Sequence, residues 1–142
     1  MAKHDNNGKC QKCAEIIQKY PGFYQPLTDW FFNLQKIYPA LHVSCAGRGM
    51  VDQEAAFQRG ASMAHYQQSA HNWGCAMDLF ALIAGKAEWP KDWFDEVVGK
   101  NLAPWMEWYG APNAQFYELP HVQVAGWKVS VAHGEMKLCR DV

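Results

Sequence analysis

Residues 69–83, with the sequence SAHNWGCAMDLFALI, join a polar irregular segment to a short apolar run. The run at 76–83 is of strand length and follows a glycine, which predicts a buried strand. Asp78 is its only charged residue, and burying a carboxylate among apolar side chains is costly unless a cation or a metal compensates the charge. A turn at Gly74 would bring His71 next to that carboxylate. The stretch therefore predicts a strand that carries a ligand-binding aspartate.

Short helices and short strands surround this strand in the sequence. Apolar spacing and breaker residues predict helices over about 9–20, 29–38, 51–59 and 89–98, and strands over 41–45 and 121–124. Thr28 is a good N-cap for the second helix. Residues 61–74 and 99–118 look irregular, and the segment from Trp127 has no clear pattern. This mixture indicates an α+β fold.

Length and composition limit the classes of function. The 142 residues, 49% hydrophobic and 19% charged, predict one globular domain over 1–142. Thirteen basic against fourteen acidic residues give a net charge of −1, which argues against a nucleic-acid partner. No apolar run approaches the roughly 18 residues that cross a bilayer, so membrane insertion is not expected. The first 20 residues lack the apolar core of a secretory signal, so we expect synthesis and initial retention in a cytoplasm.

The five cysteines, at positions 10, 13, 45, 75 and 139, are an odd number without an export signal, so a disulfide framework is not expected. Cys10 and Cys13 have the spacing of half a zinc site, to which His4 could add a ligand, but no second such pair exists. The favoured interpretation is packing, with Cys13 on the apolar side of the first helix and Cys10 nearer its edge.

Three residues suited to zinc occur in a pattern typical of a catalytic site. His71, Asp78 and His121 would supply three protein ligands and leave a fourth position open, as catalytic zinc requires. Glu118 precedes His121 by three residues, and Pro120 would kink the chain and turn Glu118 toward the metal as a general base. His133 is a rival third ligand. His42 and His65 lie in no motif and are expected to be structural or surface residues.

Two motifs resemble a known family. The pattern S-x-H-x-x-G-x-A-x-D is matched at Ser69, His71, Gly74, Ala76 and Asp78. The pattern [D/E]-x-P-H-x-Q is matched at Glu118, Pro120, His121 and Gln123. In both, the chain resembles the zinc D-Ala-D-Ala carboxypeptidase and L-alanyl-D-glutamate endopeptidase family. That family includes vancomycin-resistance carboxypeptidases and many bacteriophage endolysins. The resemblance covers about residues 40–125.

Other parts of the family pattern are kept only in part. Arg48 and Gln53 retain the spacing of S-G-Y-R-S-x-x-x-Q, although the residues around the arginine differ. The usual glycine-rich W-G-G stretch is replaced by residues 105–110, WMEWYG, which would form the rim of the substrate cleft.

The resemblance implies a fold and a site. The fold would be a small antiparallel sheet flanked by short helices, as in hedgehog and DD-peptidase domains, with a single zinc site in a cleft. By the resemblance, His71, Asp78 and His121 hold one zinc ion per chain and Glu118 is the catalytic base. Arg48 would steady the oxyanion or a substrate carboxylate. Gln53, Ser69 and Trp73 are candidate substrate contacts.

The implied function is cleavage of a peptidoglycan stem peptide by a monomeric zinc peptidase, most simply a phage endolysin acting as an L-alanyl-D-glutamate endopeptidase. It would be made in the host cytoplasm and act in the periplasm after a holin opens the inner membrane. We expect no separate cell-wall-binding domain, which by analogy with the family would favour a Gram-negative host. The alternatives are a D-Ala-D-Ala carboxypeptidase or dipeptidase and a non-catalytic zinc module that binds wall peptides.

Overall fold

The computed structural model describes residues 2–114 and 116–141. Its helices are Gln11–Ile17 (α1), Gln25–Ile37 (α2), Met50–Gln58 (α3), Lys91–Val97 (α4) and Trp127–Ala132 (α5). Its strands are Leu41–Cys45 (β1), Ala76–Ile83 (β2), Lys86–Glu88 (β3), Met106–Trp108 (β4) and His121–Val124 (β5). The predicted α+β class, with an antiparallel sheet and several short helices, is confirmed. Among the described residues, no helix is long and apolar enough to cross a membrane.

Strand β2 is the centre of the sheet. The strands run in the order β1-β2-β5-β4, β3 also pairs with β2, and every pairing is antiparallel. Asp78 pairs with Cys45 of β1 and with His121 of β5. Ala81 pairs with Leu41 of β1 on one side and with Glu88 of β3 on the other. Strands β3 and β5 therefore pair with different parts of the same edge of β2, opposite β1. Asp78 thus has a neighbouring strand on each side.

The main core lies between the sheet and helices α1, α2 and α4, and it fixes which way β2 faces. Met77 and Leu79 are fully buried in the same apolar cluster as Ile17, Phe31 and Phe94. Because successive side chains of a strand point to opposite faces, Asp78 faces away from this core. The core therefore presents the aspartate on the other surface of the sheet.

Several predicted boundaries differ from the structure. Helix α2 begins at Gln25 and not after Thr28, because Pro26 occupies its first turn, where a missing N–H costs nothing. Thr28 lies inside the helix, with its hydroxyl 3.5 Å from the Tyr24 carbonyl. The stretch predicted as loop at 99–118 contains β4, a three-residue strand held by its pairing with β5. The C-terminal segment that showed no pattern contains α5.

Gly110 lies so close to the indole of Trp108 that a Cβ would overlap the ring. The ring is 5% exposed, and its Nε1 donates a hydrogen bond to the Leu119 carbonyl at 2.7 Å. We expect Gly110→Ala to displace the ring and lower the free energy of unfolding by about 1–3 kcal/mol. Urea denaturation of the variant measures this loss. In a Trp108→Phe background the smaller ring leaves room, so the cost should shrink there; an equal cost in both backgrounds would contradict the overlap.

Candidate metal centre and active site

A cleft of about 750 Å³ lies on the face of the sheet to which Asp78 points. Its floor contains Asp78, His71, His121 and Arg48, and Glu118 lies on its wall. Exposed side chains from two loops form its rim, with Met63 from one loop and Phe116 and Tyr117 from the other. The predicted ligands and the predicted base therefore line one cleft.

His71 is held in place by its own turn and by the backbone of a neighbouring segment. It lies in the 3₁₀ turn Ala70–Trp73, whose first N–H groups are capped by the Ser69 hydroxyl, 3.2 Å from the His71 amide nitrogen. Gly74 ends the turn in the left-handed conformation, at φ 62°, and leads into β2. The imidazole Nδ1 lies 2.7 Å from the Ala46 carbonyl, to which it donates. In the neutral ring Nε2 therefore carries the lone pair, and it lies 3.4 Å from Asp78 Oδ1.

His121 is oriented by a chain of two hydrogen bonds. The amide of Gln123 donates to the carboxylate of Glu107, which as a carboxylate can only accept. This fixes the amide orientation, so Gln123 Oε1 accepts from His121 Nε2 at 2.8 Å. The lone pair of the neutral imidazole is then on Nδ1, which lies 3.1 Å from Asp78 Oδ1.

The geometry at Asp78 fits a bound metal cation. Lone pairs of His71 Nε2 and His121 Nδ1 face the same carboxylate oxygen, an arrangement that repels unless a proton or a cation lies between them. Burial lowers the pKa of His71, but the charge of Asp78 and the hydrogen bond to it raise that pKa to about 10. Burial acts against the charged form of Asp78, yet the two histidines hold its pKa well below the usual range. Imidazole nitrogens and a carboxylate oxygen are also suitable zinc ligands.

Two overlapping sets of candidate ligands meet at Asp78. One contains Cys45, His71 and Asp78, the other contains Asp78, Glu118 and His121, and within each set the ligand atoms lie within 4.8 Å of one another. Cys45 had no role in the sequence analysis. Its Sγ lies 3.9 Å from His71 Nδ1, the nitrogen already bonded to Ala46, and within 4.8 Å of a carboxylate oxygen of Asp78. The structure thus places His, Cys and Asp residues where they can bind a metal ion.

Glu118 and Arg48 bring opposite charges to the cleft. Glu118 is exposed, and the Pro120 turn is closed by a hydrogen bond from the His121 amide to the Glu118 carbonyl at 3.1 Å. This is the kink that the sequence predicted. Arg48 Nη2 lies 3.7 Å from Asp78 Oδ2, and its side chain is 14% exposed. A carboxylate and a fixed positive charge therefore flank the candidate metal ligands.

The three predicted substrate contacts occupy different positions. Ser69 lines the cleft and also caps the turn of His71. Gln53 is fully buried beneath Arg48, and its oxygen accepts from Arg48 Nη1 at 3.1 Å. The Trp73 indole donates to the Gln67 carbonyl. Neither Gln53 nor Trp73 is among the described residues that line the cleft. Gln53 supports Arg48 and Trp73 contacts the neighbouring loop, and their contact with substrate stays a prediction.

The rival third ligand lies at the protein surface. His133 is exposed, with Glu135 as its neighbour at 3.8 Å, and it does not line the cleft. The sequence analysis missed Glu107 and Tyr109. Tyr109 packs its ring against His121 with the centroids 4.7 Å apart. The alternation of apolar and polar residues in MEW at 106–108 is a local signal for a strand. Pairing of that strand with β5 places Glu107 opposite Gln123.

Comparisons with known proteins agree with this geometry at the level of the fold. No protein-family model matches the chain, and no curated protein matches it in sequence. Among solved structures, the crystal structure of the Serratia marcescens L-Ala D-Glu endopeptidase ChiX superposes with a TM-score of 0.66. The two chains share a fold. The match covers 84% of this chain and 90% of that one at 20% sequence identity.

Proposed function

We propose that the chain is a zinc-dependent peptidase that cleaves peptidoglycan stem peptides between L-alanine and D-glutamate. The observation that carries this proposal is that His71 Nε2 and His121 Nδ1 both lie close to Asp78 Oδ1, in the cleft that Glu118 also lines. Support comes from the shared fold with an L-Ala D-Glu endopeptidase. The role of a phage endolysin, released to the periplasm by a holin, rests on the resemblance of the two motifs to a family that includes such enzymes.

The three ligands would hold one zinc ion through His71 Nε2, the Asp78 carboxylate and His121 Nδ1. A zinc ion bound there supplies Lewis-acid polarisation of a carbonyl and makes water a nucleophile near neutral pH. The hydrogen bonds from His71 to the Ala46 carbonyl and from His121 to Gln123 set the tautomers that this binding requires.

Glu118 is proposed to take the proton of the attacking water and to deliver it to the leaving amine. Its exposed side chain reaches both the cleft and the ligand atoms of Asp78 and His121. Arg48 stabilises the negative charge that develops on the carbonyl oxygen, since its guanidinium stays charged at every relevant pH. Gln53 holds that guanidinium in place from below.

The substrate is proposed to be an anionic peptide that a single protomer binds. Nucleic acid is not proposed as a partner. Arg48 and Lys128 line the cleft, and both suit the carboxylates of a D-glutamate-containing stem peptide. The aromatic rings of Phe116 and Tyr117 would cover the peptide backbone at the rim.

Digestion of purified Gram-negative peptidoglycan, with and without chelator, followed by mass spectrometry tests the proposal. Chelator-sensitive release of fragments with a new N-terminal D-glutamate is expected. Loss of terminal D-alanine alone would assign a carboxypeptidase instead, with Arg48 holding the terminal carboxylate. No cleavage by protein shown to hold zinc would favour a module that binds wall peptides.

Glu107 is expected to act on the metal site through Gln123. Glu107→Ala frees the Gln123 amide to rotate and removes the fixed tautomer of His121, so zinc affinity should fall about 10–100-fold. Competition for zinc with a chromophoric chelator measures this. Glu135→Ala, an exposed glutamate beside His133, is the matched control and should leave the affinity unchanged. Equal affinities of the Glu107 variant and the wild type would refute the hydrogen-bond relay.

A further inference from the structure

A second group of metal-ligand side chains lies beside β1, outside the cleft. It consists of His4, Cys10, Cys13 and His42, whose ligand atoms all lie within 4.8 Å of one another. Cys10, Cys13 and His42 are fully buried, and His4 is partly so. None of the four lines the cleft.

Four ligand–ligand distances within this Cys₂His₂ cluster are close to those of a tetrahedral zinc site. Zinc–sulfur bonds of about 2.3 Å and zinc–nitrogen bonds of about 2.0–2.1 Å place the ligand atoms of a tetrahedron about 3.3–3.8 Å apart. His4 Nδ1 lies 3.6 Å from the sulfur of Cys10 and 3.6 Å from that of Cys13. His42 Nδ1 lies 3.3 Å from the Cys13 sulfur and 3.1 Å from His4 Nδ1.

The surroundings of the cluster orient its ligands. His42 Nε2 lies 2.8 Å from the side-chain oxygen of Asn6, to which it donates, so the lone pair of the neutral ring is on Nδ1 and faces the cluster. The Cys13 amide donates to the Cys10 sulfur at 3.3 Å, and the Val43 amide donates to the Cys13 sulfur at 3.5 Å. Both sulfurs therefore accept a backbone N–H group.

Packing alone does not account for the arrangement. Cys75 and Cys139 are also buried, yet Cys75 Sγ donates to the Ala70 carbonyl and Cys139 Sγ to the His71 carbonyl. In the Cys₂His₂ cluster, by contrast, two sulfurs and two imidazole nitrogens approach from three separate segments of chain. The CxxC pair sits at the start of α1, where Cys10 is the N-cap, and His42 lies on the adjoining strand.

We propose that His4, Cys10, Cys13 and His42 bind a structural zinc ion, the second metal site of this chain. Four protein ligands leave no open position, which is the property of a structural and not a catalytic zinc site. Such an ion would tie the N-terminal segment and α1 to the edge strand β1. Its binding free energy would then be part of the folding free energy. This proposal does not depend on the peptidase activity.

Zinc content per chain is the first test, measured by mass spectrometry of protein purified in reducing buffer. Two zinc ions are expected in the wild type and one in the Cys10→Ser/Cys13→Ser variant. One is also expected in His121→Ala, which removes a ligand of the cleft. Cys75→Ser is the matched control for loss of a buried cysteine and should keep two. A wild type that holds one ion, lost entirely in His121→Ala, would overturn the proposal.

A second measurement does not require the cysteine variant to fold. In His121→Ala, which keeps all four residues of the Cys₂His₂ cluster, a strong chelator should still lower the melting temperature. Cobalt substitution of the same variant should give thiolate-to-cobalt charge-transfer absorption that survives a further Cys45→Ser change. A melting temperature that chelator does not change would refute the site. Loss of the charge-transfer absorption on the Cys45→Ser change would refute it as well.

Discussion

Replacing Glu118 with glutamine should lower kcat for stem-peptide cleavage by about a hundredfold to ten-thousandfold, the usual contribution of a positioned general base. Glutamine keeps the shape of the side chain but cannot accept the proton of the attacking water. Because Glu118 is exposed, the change should cost little folding free energy. Zinc content and KM should stay near the wild-type values, so the loss falls on the chemical step. Steady-state kinetics on a defined stem peptide, with metal analysis, measure both.

Glu118→Asp is the matched variant for this experiment. Aspartate retains the carboxylate on a side chain that is one methylene shorter. The cleavage rate of this variant should therefore lie between those of the wild type and Glu118→Gln. Rates that follow this order would separate loss of the base from loss of shape. A Glu118→Gln protein that cleaves at the wild-type rate would remove Glu118 from the mechanism.

Asp78→Asn should have an effect at least as large, because it removes the charge on which both histidines converge. The amide has the same shape, yet it cannot balance a divalent cation in a buried position. We expect the ion of the cleft to be lost and cleavage to fall by at least about a thousandfold, since metal assistance is worth several kcal/mol of barrier. Metal analysis and kinetics on the same preparation test both statements.

The control for this change is an aspartate in a surface ion pair. Asp95 lies 2.6 Å from Lys91 one turn away on α4, and both side chains are well exposed. Asp95→Asn should leave metal content and rate unchanged, because exposed pairs contribute little. Full metal content in Asp78→Asn would mean that the cleft holds its ion through other groups, with Cys45 the first to examine.

The parts of the site that sequence reasoning found are those encoded within a few residues. His71, Gly74 and Asp78 form one local pattern, in which a capped turn that ends at a left-handed glycine places the histidine next to the start of strand β2. Pro120 predicts the kink between Glu118 and His121 in the same local way. Strand β2 was recognisable because an apolar run of strand length contains a single charge.

The parts that sequence reasoning missed depend on contacts between distant segments. Glu107 acquires its role only when β4 pairs with β5 and sets it opposite Gln123. Gln53 kept the spacing of a family motif, but its burial under Arg48 follows from how α3 packs. His42 carried no motif, and only the approach of the N-terminal segment to β1 places His4 beside it. Such approaches are decided by the whole core and not by any window of sequence.

Asp78 lies between two paired strands, so the metal binding proposed for the cleft depends on the register of β2 against β1 and β5. If β2 slipped by one residue against β1 and β5, every side chain of the strand would exchange faces. Met77 or Leu79 would then point into the cleft, and the aspartate would enter the apolar layer. Such a slipped sheet keeps its strand content, so circular dichroism would not detect it. If the cleft binds the metal ion proposed for it, retention of that ion therefore distinguishes correctly refolded protein from protein with a misaligned sheet.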